Sequence, residues 1–592
     1  MLFKDVAEYY GKLEGISSRL EMIDVLTEML SKVKKNEIRK LIYFTQGVLA
    51  PPFEGVEIGI AEKLVSEAIA RASGHTKEEV FAAYKKAGDM GTAAEQIAEK
   101  SKLRRMNSHK YELVEVFDTM HKIALSSGSG SQDTKIRLMS ELLAASNPIE
   151  ARYVARFAIG TLRLGLGDAT ILEALSKTAT GDRKLKSELE NAYNLCSDLG
   201  EVGEVLFTDG VKGIEHFKVT LFKPIRPALA ERLPTAEEIL EKMHGRAAVE
   251  TKYDGFRVQV HVDKKSRHVE IFSRRLEKVT HMFPEIVKAA LEELDVKSAI
   301  FDGEALAYND VTEEYYPFQE TIQRKRKHGI EEKSAELPLH VFAFDLMLLD
   351  GEDYMTKPYE QRRKKLEQIV KKDGIVRLSD LLITTKPKEL EKYFETAITS
   401  GLEGIVAKDL TSTYVAGARK FAWIKMKRSY KGELSDTVDL VIIGYYLGRG
   451  QRAEFKFGGL LCASYNQKTD MFESVSRLGT GFSEKQMTEL QKALDKTKTK
   501  SKPARVASMM EPDFWVTPKY VVTIRADEIT RSPMHMCGLE KLPDGTEVGY
   551  ALRFPRLVSD GIRSDKSVEE ATTTKEIIEM FRQQKKTKLE ER

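Results

Sequence analysis

A lysine in the run Lys252-Tyr-Asp-Gly-Phe-Arg257 is the strongest candidate for a nucleophile in this chain. Residues 247–251 read as a β-strand that enters an Asp-Gly turn, so the end of the strand aims the lysine. An amine attacks phosphorus only when it is unprotonated, and burial or a nearby cation such as Arg257 must lower its pKa from about 10.4. Gly255 permits a nucleotide to approach closely, and Arg257 can bind phosphate or ribose oxygens. The alternative interpretation is a surface hairpin with a solvated lysine.

Two glutamates further along the chain can hold divalent cations. Glu304 and Glu403 are predicted to lie at strand ends. Carboxylates in such positions suit the ions that neutralise a triphosphate during in-line displacement. For either glutamate alone, a structural carboxylate is an equally good interpretation.

A third group of residues could bind the rest of a nucleotide. Lys425 and Lys427 are two residues apart on a predicted strand, so both ammonium groups can point the same way. The flanking Trp423 favours a half-buried strand over a solvated lysine face. Phe344 lies in an apolar strand, where stacking on a base and packing in the core are both open.

The elements that must position these residues fall into three regions. The 592 residues are enough for three or four domains. Apolar residues recur with helical period up to about residue 220, and prolines at 224, 227 and 234 then end this pattern. We predict an all-α domain over 1–221, an α+β domain over 222–429, and an all-β domain with a charged helical tail over 430–592.

Composition excludes several classes of protein. The formal net charge is only +3, so a polyanion must be met by local basic surface such as residues 161–168 or 324–327. For 324–327, a solvated charge run is an equally good interpretation. The three cysteines are far apart and form neither a disulfide framework nor a zinc module. Without a long apolar run or a leader-like N-terminus, we expect an intracellular protein that does not span a membrane.

Several short runs occur in an order that chance does not explain. They are Lys252-Tyr-Asp-Gly-Phe-Arg257, Ser273-Arg274-Arg275, Phe301-Asp302-Gly303-Glu304, Phe342-Ala-Phe344-Asp345, Glu403-Gly-Ile-Val-Ala-Lys408, Trp423-Ile-Lys425-Met-Lys427-Arg428 and Arg553-Phe-Pro-Arg556. In this order they resemble the motifs of ATP-dependent DNA ligases of the archaeal and eukaryotic replicative type. These enzymes belong to the covalent nucleotidyltransferase superfamily.

The resemblance implies a role for each candidate residue. Lys252 would be the catalytic nucleophile that becomes bonded to AMP, and Glu304 and Glu403 would bind Mg²⁺, with Mn²⁺ as a second candidate. ATP would be bound by the residues that match the family's nucleotide contacts. These are Glu250 beside the adenine, Phe344 stacked on it, Arg257, Arg274 and Arg419 at the ribose or phosphates, and Lys425 and Lys427 at the α-phosphate, with Glu304 also close to the nucleotide.

The resemblance also covers the flanking regions. It implies a helical DNA-binding domain, a central adenylation (nucleotidyltransferase) domain and a C-terminal OB-fold domain in a monomer that acts on nicked duplex DNA in replication, recombination and repair. A sliding clamp is a candidate partner, although the nearest docking peptide, around Gln46 to Phe53, lacks paired aromatic residues. The segment 557–566 is longer than the family pattern, which leaves the residues that orient pyrophosphate unassigned.

Two other functions remain open at this stage. One is an RNA ligase or capping-type nucleotidyltransferase of the same superfamily. The other is a non-catalytic DNA-binding clamp, against which the joint presence of Lys252, Glu304, Glu403 and Lys425 argues. An NAD-dependent ligase is disfavoured, because three scattered cysteines cannot build the zinc module expected of that class.

Overall fold

The computed structural model describes residues 1–101, 109–309, 314–315, 321, 324, 330, 334, 337–371, 374–399, 402–427, 437–447, 457–479, 481–526, 528–542, 545, 547–553 and 555–590. Within these ranges the side chains at 309, 314–315, 398–399, 419, 528, 559–560 and 583–590 are outside the description. Among the described helices, none combines the length and the apolar character that crossing a bilayer requires.

The N-terminal region is helical, as its sequence period predicts. Its helices are α1 (Phe3–Glu14), α2 (Arg19–Lys32), α3 (Ile38–Gln46), α4 (Glu62–Ser73), α5 (Lys77–Ala87), α6 (Met90–Glu99), α7 (Leu113–Leu125), α8 (Ser131–Ala145), α9 (Pro148–Ala158), α10 (Asp168–Thr180), α11 (Lys186–Cys196) and α12 (Leu199–Ile214). Each helix packs an apolar face into a shared core. In α1 that face carries Phe3, Val6, Tyr10 and Leu13, which follow one another at intervals of three or four residues.

The middle region is mixed α and β. Its strands are β1 (Leu229–Arg232), β2 (Ala247–Lys252), β3 (Phe256–Asp263), β4 (His268–Ser273), β5 (Ser298–Asn309), β6 (Glu314–Tyr315), β7 (Leu339–Leu349), β8 (Glu352–Asp353), β9 (Val376–Leu378), β10 (Leu381–Thr384), β11 (Gly404–Asp409) and β12 (Arg419–Lys427). Its helices are α13 (Ala236–Lys242), α14 (Pro284–Glu292), α15 (Tyr359–Ile369) and α16 (Pro387–Thr399).

These strands form two sheets that enclose a cleft. The first sheet has the order β1-β12-β11-β2-β10, and the second has β4-β3-β5-β7-β8 with β6 and β9 attached to it. Val249 on β2 shares an apolar cluster with α13 and α16, and Phe301 on β5 shares another with α14 and α15. The helices therefore cover the outer faces. The inner faces meet where the Phe344 ring on β7 lies 5.8 Å from the Trp423 ring on β12.

The C-terminal region is rich in β-structure. Its strands are β13 (Thr437–Tyr446), β14 (Gly459–Asn466), β15 (Met471–Leu478), β16 (Lys498–Thr499), β17 (Val506–Ala507), β18 (Phe514–Val516), β19 (Val521–Arg525), β20 (Glu528–Ser532), β21 (Cys537–Lys541), β22 (Glu547–Arg553) and β23 (Arg556–Ile562). Two helices, α17 (Glu484–Asp495) and α18 (Thr574–Glu590), accompany them. One sheet runs β16-β18-β13-β14-β15-β17, with β19 joining β13 to β23, and a smaller sheet runs β20-β22-β21.

The predicted succession of helical, mixed and β-rich regions is confirmed. The domain boundaries at 221 and 429 stay predictions, as does the finer assignment of the last region to the OB-fold. One local expectation was wrong: Glu304 lies inside β5 and not at a strand end. The strand continues because the apolar residues 305–307 keep pairing with β7.

Candidate active site

Lys252 ends β2 and faces the cleft between the two sheets. In the first sheet, Gly404 on β11 pairs with both Lys252 on β2 and Lys427 on β12. Residues paired across antiparallel strands point to the same face, so the two lysines flank a position that has no side chain. Gly404 has a φ of +149°, and a Cβ there would lie 2.1 Å from the Met426 carbonyl oxygen. A glycine is therefore required where the two amines approach each other.

The carboxylate of Glu403 lies between these amines. Its Oε2 pairs with Lys252 Nζ, and its Oε1 pairs with Lys427 Nζ. Glu403 immediately precedes Gly404, the first residue of β11, so the start of this strand positions both the bridging carboxylate and the glycine gap. The arrangement holds two cations and one anion at the end of the cleft.

The amine of Lys252 is easier to deprotonate than an ordinary lysine. Burial is the main cause of its lowered pKa. The cationic Arg274 and Arg257 lower it further, whereas Glu304 and Asp254 act in the opposite direction. A lowered pKa increases the fraction of neutral amine, which is the form that attacks phosphorus.

Arg257 on β3 is held rigidly at the second sheet. Its Nη2 donates to Asp302 Oδ2 at 2.6 Å, and its Nη1 donates to the Ala228 carbonyl at 2.7 Å. Its guanidinium carbon lies 5.5 Å from the centroid of the Phe344 ring. The buried Nε has no acceptor among the described residues. A positioned arginine with an unused donor suits the binding of a nucleotide oxygen.

Glu304 lies beside Arg257 on the neighbouring strand β5. Its Oε1 accepts a hydrogen bond of 3.2 Å from the Gly255 amide, at the turn that follows Lys252. Burial raises the pKa of Glu304 to about 7, against the opposing charges of Lys252 and Arg257. A bound cation would offset the cost of ionising this carboxyl group.

The carboxylates of the cleft fit a magnesium ion that shares its ligands with a substrate. Mg²⁺ is commonly held by one or two protein carboxylates together with phosphate oxygens and water. Glu304 and Glu403 can supply such a pair. The described residues contain no cluster of three or more metal-ligating side chains, so an all-protein cage is not built from them.

The raised pKa of Glu304 predicts a pH effect on stability in the absence of ligands. The folded state holds this proton up to about pH 7, whereas the unfolded chain releases it near 4.5. The wild type should therefore lose stability relative to Glu304→Gln as the pH rises from 5 to 7.5. Melting curves should show the difference in Tm shifting in favour of the glutamine variant by about 2–4 °C or more. The same difference at both pH values would contradict the prediction.

Comparison with protein families covers most of the chain. Residues 2–176 match the model for the DNA ligase N terminus, 227–427 match that for the ATP dependent DNA ligase domain, and 453–566 match that for the ATP dependent DNA ligase C terminal region. The chain belongs to the ATP-dependent DNA ligases. The resemblance seen in the sequence is thus confirmed. The RNA ligase or capping enzyme, the NAD-dependent ligase and the non-catalytic clamp are set aside.

Two sequence relatives agree with this membership. A protein named probable DNA ligase from Dictyoglomus turgidum is 46% identical over 591 residues, which cover 100% of this chain and 99% of that protein. A DNA ligase from Sulfurisphaera tokodaii is 42% identical, with the same two coverages. Among solved structures, one described as Pmar-Lig_Pre. is 18% identical, with a TM-score of 0.45 and coverage of 95% of this chain and 99% of that one.

Two predicted phosphate contacts of the ligase pair with the C-terminal region. Arg274 Nε donates to Glu570 Oε1 at 2.7 Å, and Lys425 Nζ lies 3.5 Å from Glu576 Oε1. Both partners are carboxylates close to or within α18. A phosphate that binds either cation would take the place of a carboxylate.

The other predicted nucleotide contacts of the ligase lie on the first sheet or opposite it. Glu250 is buried on β2 and pairs with Val406 of β11, which shares an apolar cluster with Phe344 of β7. Trp423 shares the inner face of β12 with Lys425 and Lys427, because the three occupy every second position along the strand. Arg419 begins β12, and its side chain lies outside the described part of the structure.

The structure also brings residues to the cleft that the sequence did not assign. Lys566 Nζ pairs with Asp439, and Arg563 Nη1 lies 3.5 Å from the same carboxylate. The charge of Lys566 is close enough to lower the pKa of Lys427, although burial is the larger cause. The available signal was the pair of basic residues, Arg563 and Lys566, whose departure from the family spacing concealed their position.

The basic cluster predicted at 324–327 is only partly described. Arg324 is fully buried and pairs with Glu285, so it is not available to grip DNA. This corrects the expectation for Arg324, and burial of its charge against a carboxylate is the physical reason. Residues 325–327 lie outside the described part of the chain.

The glycine-containing segment 161–168 of the ligase touches the C-terminal region. Arg163 Nη2 donates to the carbonyl oxygen of Asp495 at 3.1 Å, and Lys519 Nζ donates to that of Gly160 at 3.1 Å. A Cβ on Gly167 would lie 2.4 Å from Arg505 Nη1. The predicted start of a helix at Asp168 agrees with α10. A DNA phosphate that contacts Arg163 would take the place of the Asp495 carbonyl.

The candidate clamp-docking peptide is folded into the protein. Gln46 ends α3 and donates to Asp168 at 2.9 Å. Leu49 and Phe53 are both buried. The apolar side chains that a docking peptide would present are therefore not on the surface.

Proposed function

We propose that this ligase seals nicks in duplex DNA through a covalent AMP intermediate on Lys252. The observation that carries the proposal is the position of this amine: it ends a strand inside the cleft, beside Glu403, with a pKa lowered mainly by burial. Catalysis of phosphoryl transfer requires mainly that the protein positions the reacting groups and neutralises the charge on the phosphates. The lysines, arginines and glutamates around Lys252 match that demand.

The first step forms the phosphoramide. Neutral Lys252 Nζ attacks the α-phosphorus of ATP, an N–P bond forms, and the bond to the pyrophosphate oxygen breaks. Lys425 and Lys427 face the same side of the cleft and neutralise charge on the α-phosphate. Glu304 and Glu403 would hold Mg²⁺ or Mn²⁺, which when bound neutralises the triphosphate.

The AMP group then passes to DNA. The 5′-phosphate at the nick attacks the phosphorus of the lysyl-AMP and releases the lysine. The 3′-hydroxyl finally attacks the activated 5′-phosphate, and AMP leaves as the phosphodiester bond closes. Arg257, Arg274 and Arg419 bind the ribose or phosphates during these steps, and Phe344 stacks on the adenine beside Glu250.

The three predicted domains divide the work. Residues 1–221 and the OB-fold assigned to 430–592 grip the duplex mostly through phosphates, and 222–429 carries out adenylation. We infer that the enzyme acts as a monomer inside the cell, in DNA replication, recombination and repair. A sliding clamp stays a candidate partner, but residues 46–53 are not proposed as its docking site because Leu49 and Phe53 are buried.

Labelling with radioactive ATP tests the proposal. The protein is incubated with α-³²P-ATP and Mg²⁺, and we expect an acid-labile labelled protein whose modified peptide contains Lys252. Nicked DNA should then discharge the label as AMP, whereas a nick in RNA should not. Label on another residue, or discharge by RNA alone, would overturn the proposed function.

A further inference from the structure

Helix α15 contacts Glu250, one of the two residues proposed to bind the adenine base, and Asp345, the neighbour of the other. Arg362 donates to the two carboxylate oxygens of Asp345 at 2.7 and 3.1 Å, next to Phe344. The following residue, Arg363, places Nη1 3.4 Å from Glu250 Oε1. Both ion pairs are buried. Two consecutive arginines of one helix thus reach opposite walls of the cleft.

Glu250 is surrounded by hydrogen-bond donors. The Tyr359 hydroxyl, one helical turn before Arg363, donates to Oε1. On the other side, Lys408 Nζ lies 2.8 Å from Oε2 and donates to the Phe344 carbonyl at 2.6 Å. A carboxylate offers about four acceptor positions, and these three donors among the described residues leave one on Oε2.

Ser379 and Glu367 hold the guanidinium group of Arg363 in place. Its Nη1 donates to the Ser379 hydroxyl and its Nη2 to the Ser379 carbonyl, both at 2.8 Å. Its Nε donates to Glu367 Oε1 at 2.9 Å. The arginine cannot follow Glu250 if that carboxylate turns, so the position of Glu250 is determined by α15 and by the end of β9.

A carboxylate held in a fixed position discriminates between purines. Adenine carries an amino donor at the ring position where guanine carries a carbonyl acceptor. An acceptor that is immobile and 2% exposed can bond the amino group but leaves the carbonyl unpaired. A carboxylate that could turn away would lose the bond to the amino group, and with it the preference for adenine.

We propose that Tyr359 and Arg363 are positioning residues that make this enzyme selective for adenine nucleotides by holding Glu250 as a fixed acceptor. The inference rests on the proposed function, because it needs adenine to bind beside Glu250. Tyr359 and Arg363 do not touch the nucleotide themselves. They act through Glu250, together with Lys408.

The test compares two nucleotides that differ only in the amino group. Rates of lysyl labelling are measured over a range of concentrations of ATP and of purine riboside triphosphate, which lacks the 6-amino group. For Tyr359→Phe and Arg363→Met, kcat/KM with ATP should fall about three- to tenfold, mainly through KM. With purine riboside triphosphate it should stay within about twofold of the wild type. Arg363→Lys should recover part of the loss.

The controls separate this inference from misfolding and from failure of the proposed function. Lys364→Ala alters an exposed residue of α15 and should leave both nucleotides unchanged. Tyr359→Phe keeps the ring and removes one oxygen, so it tests the idea even if Arg363→Met does not fold. An equal fall with both nucleotides, or an unchanged ratio, would overturn the inference alone. A wild type that no nucleotide labels would overturn the proposed function and this inference together.

Discussion

Replacing Lys252 with alanine is expected to abolish ATP-dependent nick sealing, with a loss of more than about 10⁴-fold. The methyl group cannot form the bond to AMP, and no other described amine has the same position at the end of β2. Lys427 is a nearby amine, since Glu403 pairs with both lysines. It lies on β12, however, and so cannot take the position of Lys252 at the end of β2. Gel-based ligation of nicked DNA with ATP and Mg²⁺ measures the effect.

The same variant should still join DNA that already carries AMP on its 5′-phosphate. Closing that nick requires attack by the 3′-hydroxyl, in which Lys252 is not the nucleophile. Lys265→Ala, on the exposed turn between β3 and β4, is the matched control and should retain both activities. Sealing by Lys252→Ala from ATP at the wild-type rate would remove the lysine from the mechanism.

Raising the salt concentration from 50 to 200 mM is expected to weaken binding to nicked DNA by about 10³- to 10⁵-fold. The chain has a net charge of only +3, so attraction must come from local contacts between basic residues and phosphates. Six to ten such contacts would release enough counterions for a loss of about this size. Fluorescence anisotropy over a salt series measures the slope.

Arg163→Ala should reduce that slope by about one unit if the segment 161–168 contacts a phosphate. Arg163 donates a hydrogen bond to the Asp495 carbonyl, so a DNA phosphate that binds Arg163 must replace this carbonyl. Lys265→Ala serves as the control, with an expected slope equal to that of the wild type. An affinity for nicked DNA that does not change with salt concentration in the unmodified enzyme would contradict binding through phosphate contacts.

Much of the fold could be predicted because the patterns involved are local. Helical spacing in residues such as Phe3, Val6 and Tyr10 determines which side of α1 is buried, whatever the rest of the chain does. The strand before Lys252 and the helix that starts at Asp168 are likewise specified by a few neighbouring residues. Glu304 was misplaced in its strand because pairing with β7, which is distant in sequence, extends β5 beyond it.

The surroundings of each functional group could not be predicted in the same way. The sequence contains Glu403 and Lys252 but does not state that one carboxylate bridges Lys252 and Lys427, since this depends on the register of three strands. The sequence left Arg324 open between a DNA contact and a solvated charge run, and only the tertiary structure shows that it is buried against Glu285.

The amino-acid sequence by itself determined the class of each region and the order of the motifs, and it supplied the candidate nucleophile, since short-range spacing and residue type carry that information. The tertiary structure alone decided which charges neutralise one another: Tyr359 and Arg363 around Glu250, Glu570 on Arg274, and Asp439 on Lys566. The physical reason is that burial and the pairing of charges depend on contacts between residues far apart in the chain, which no local period encodes.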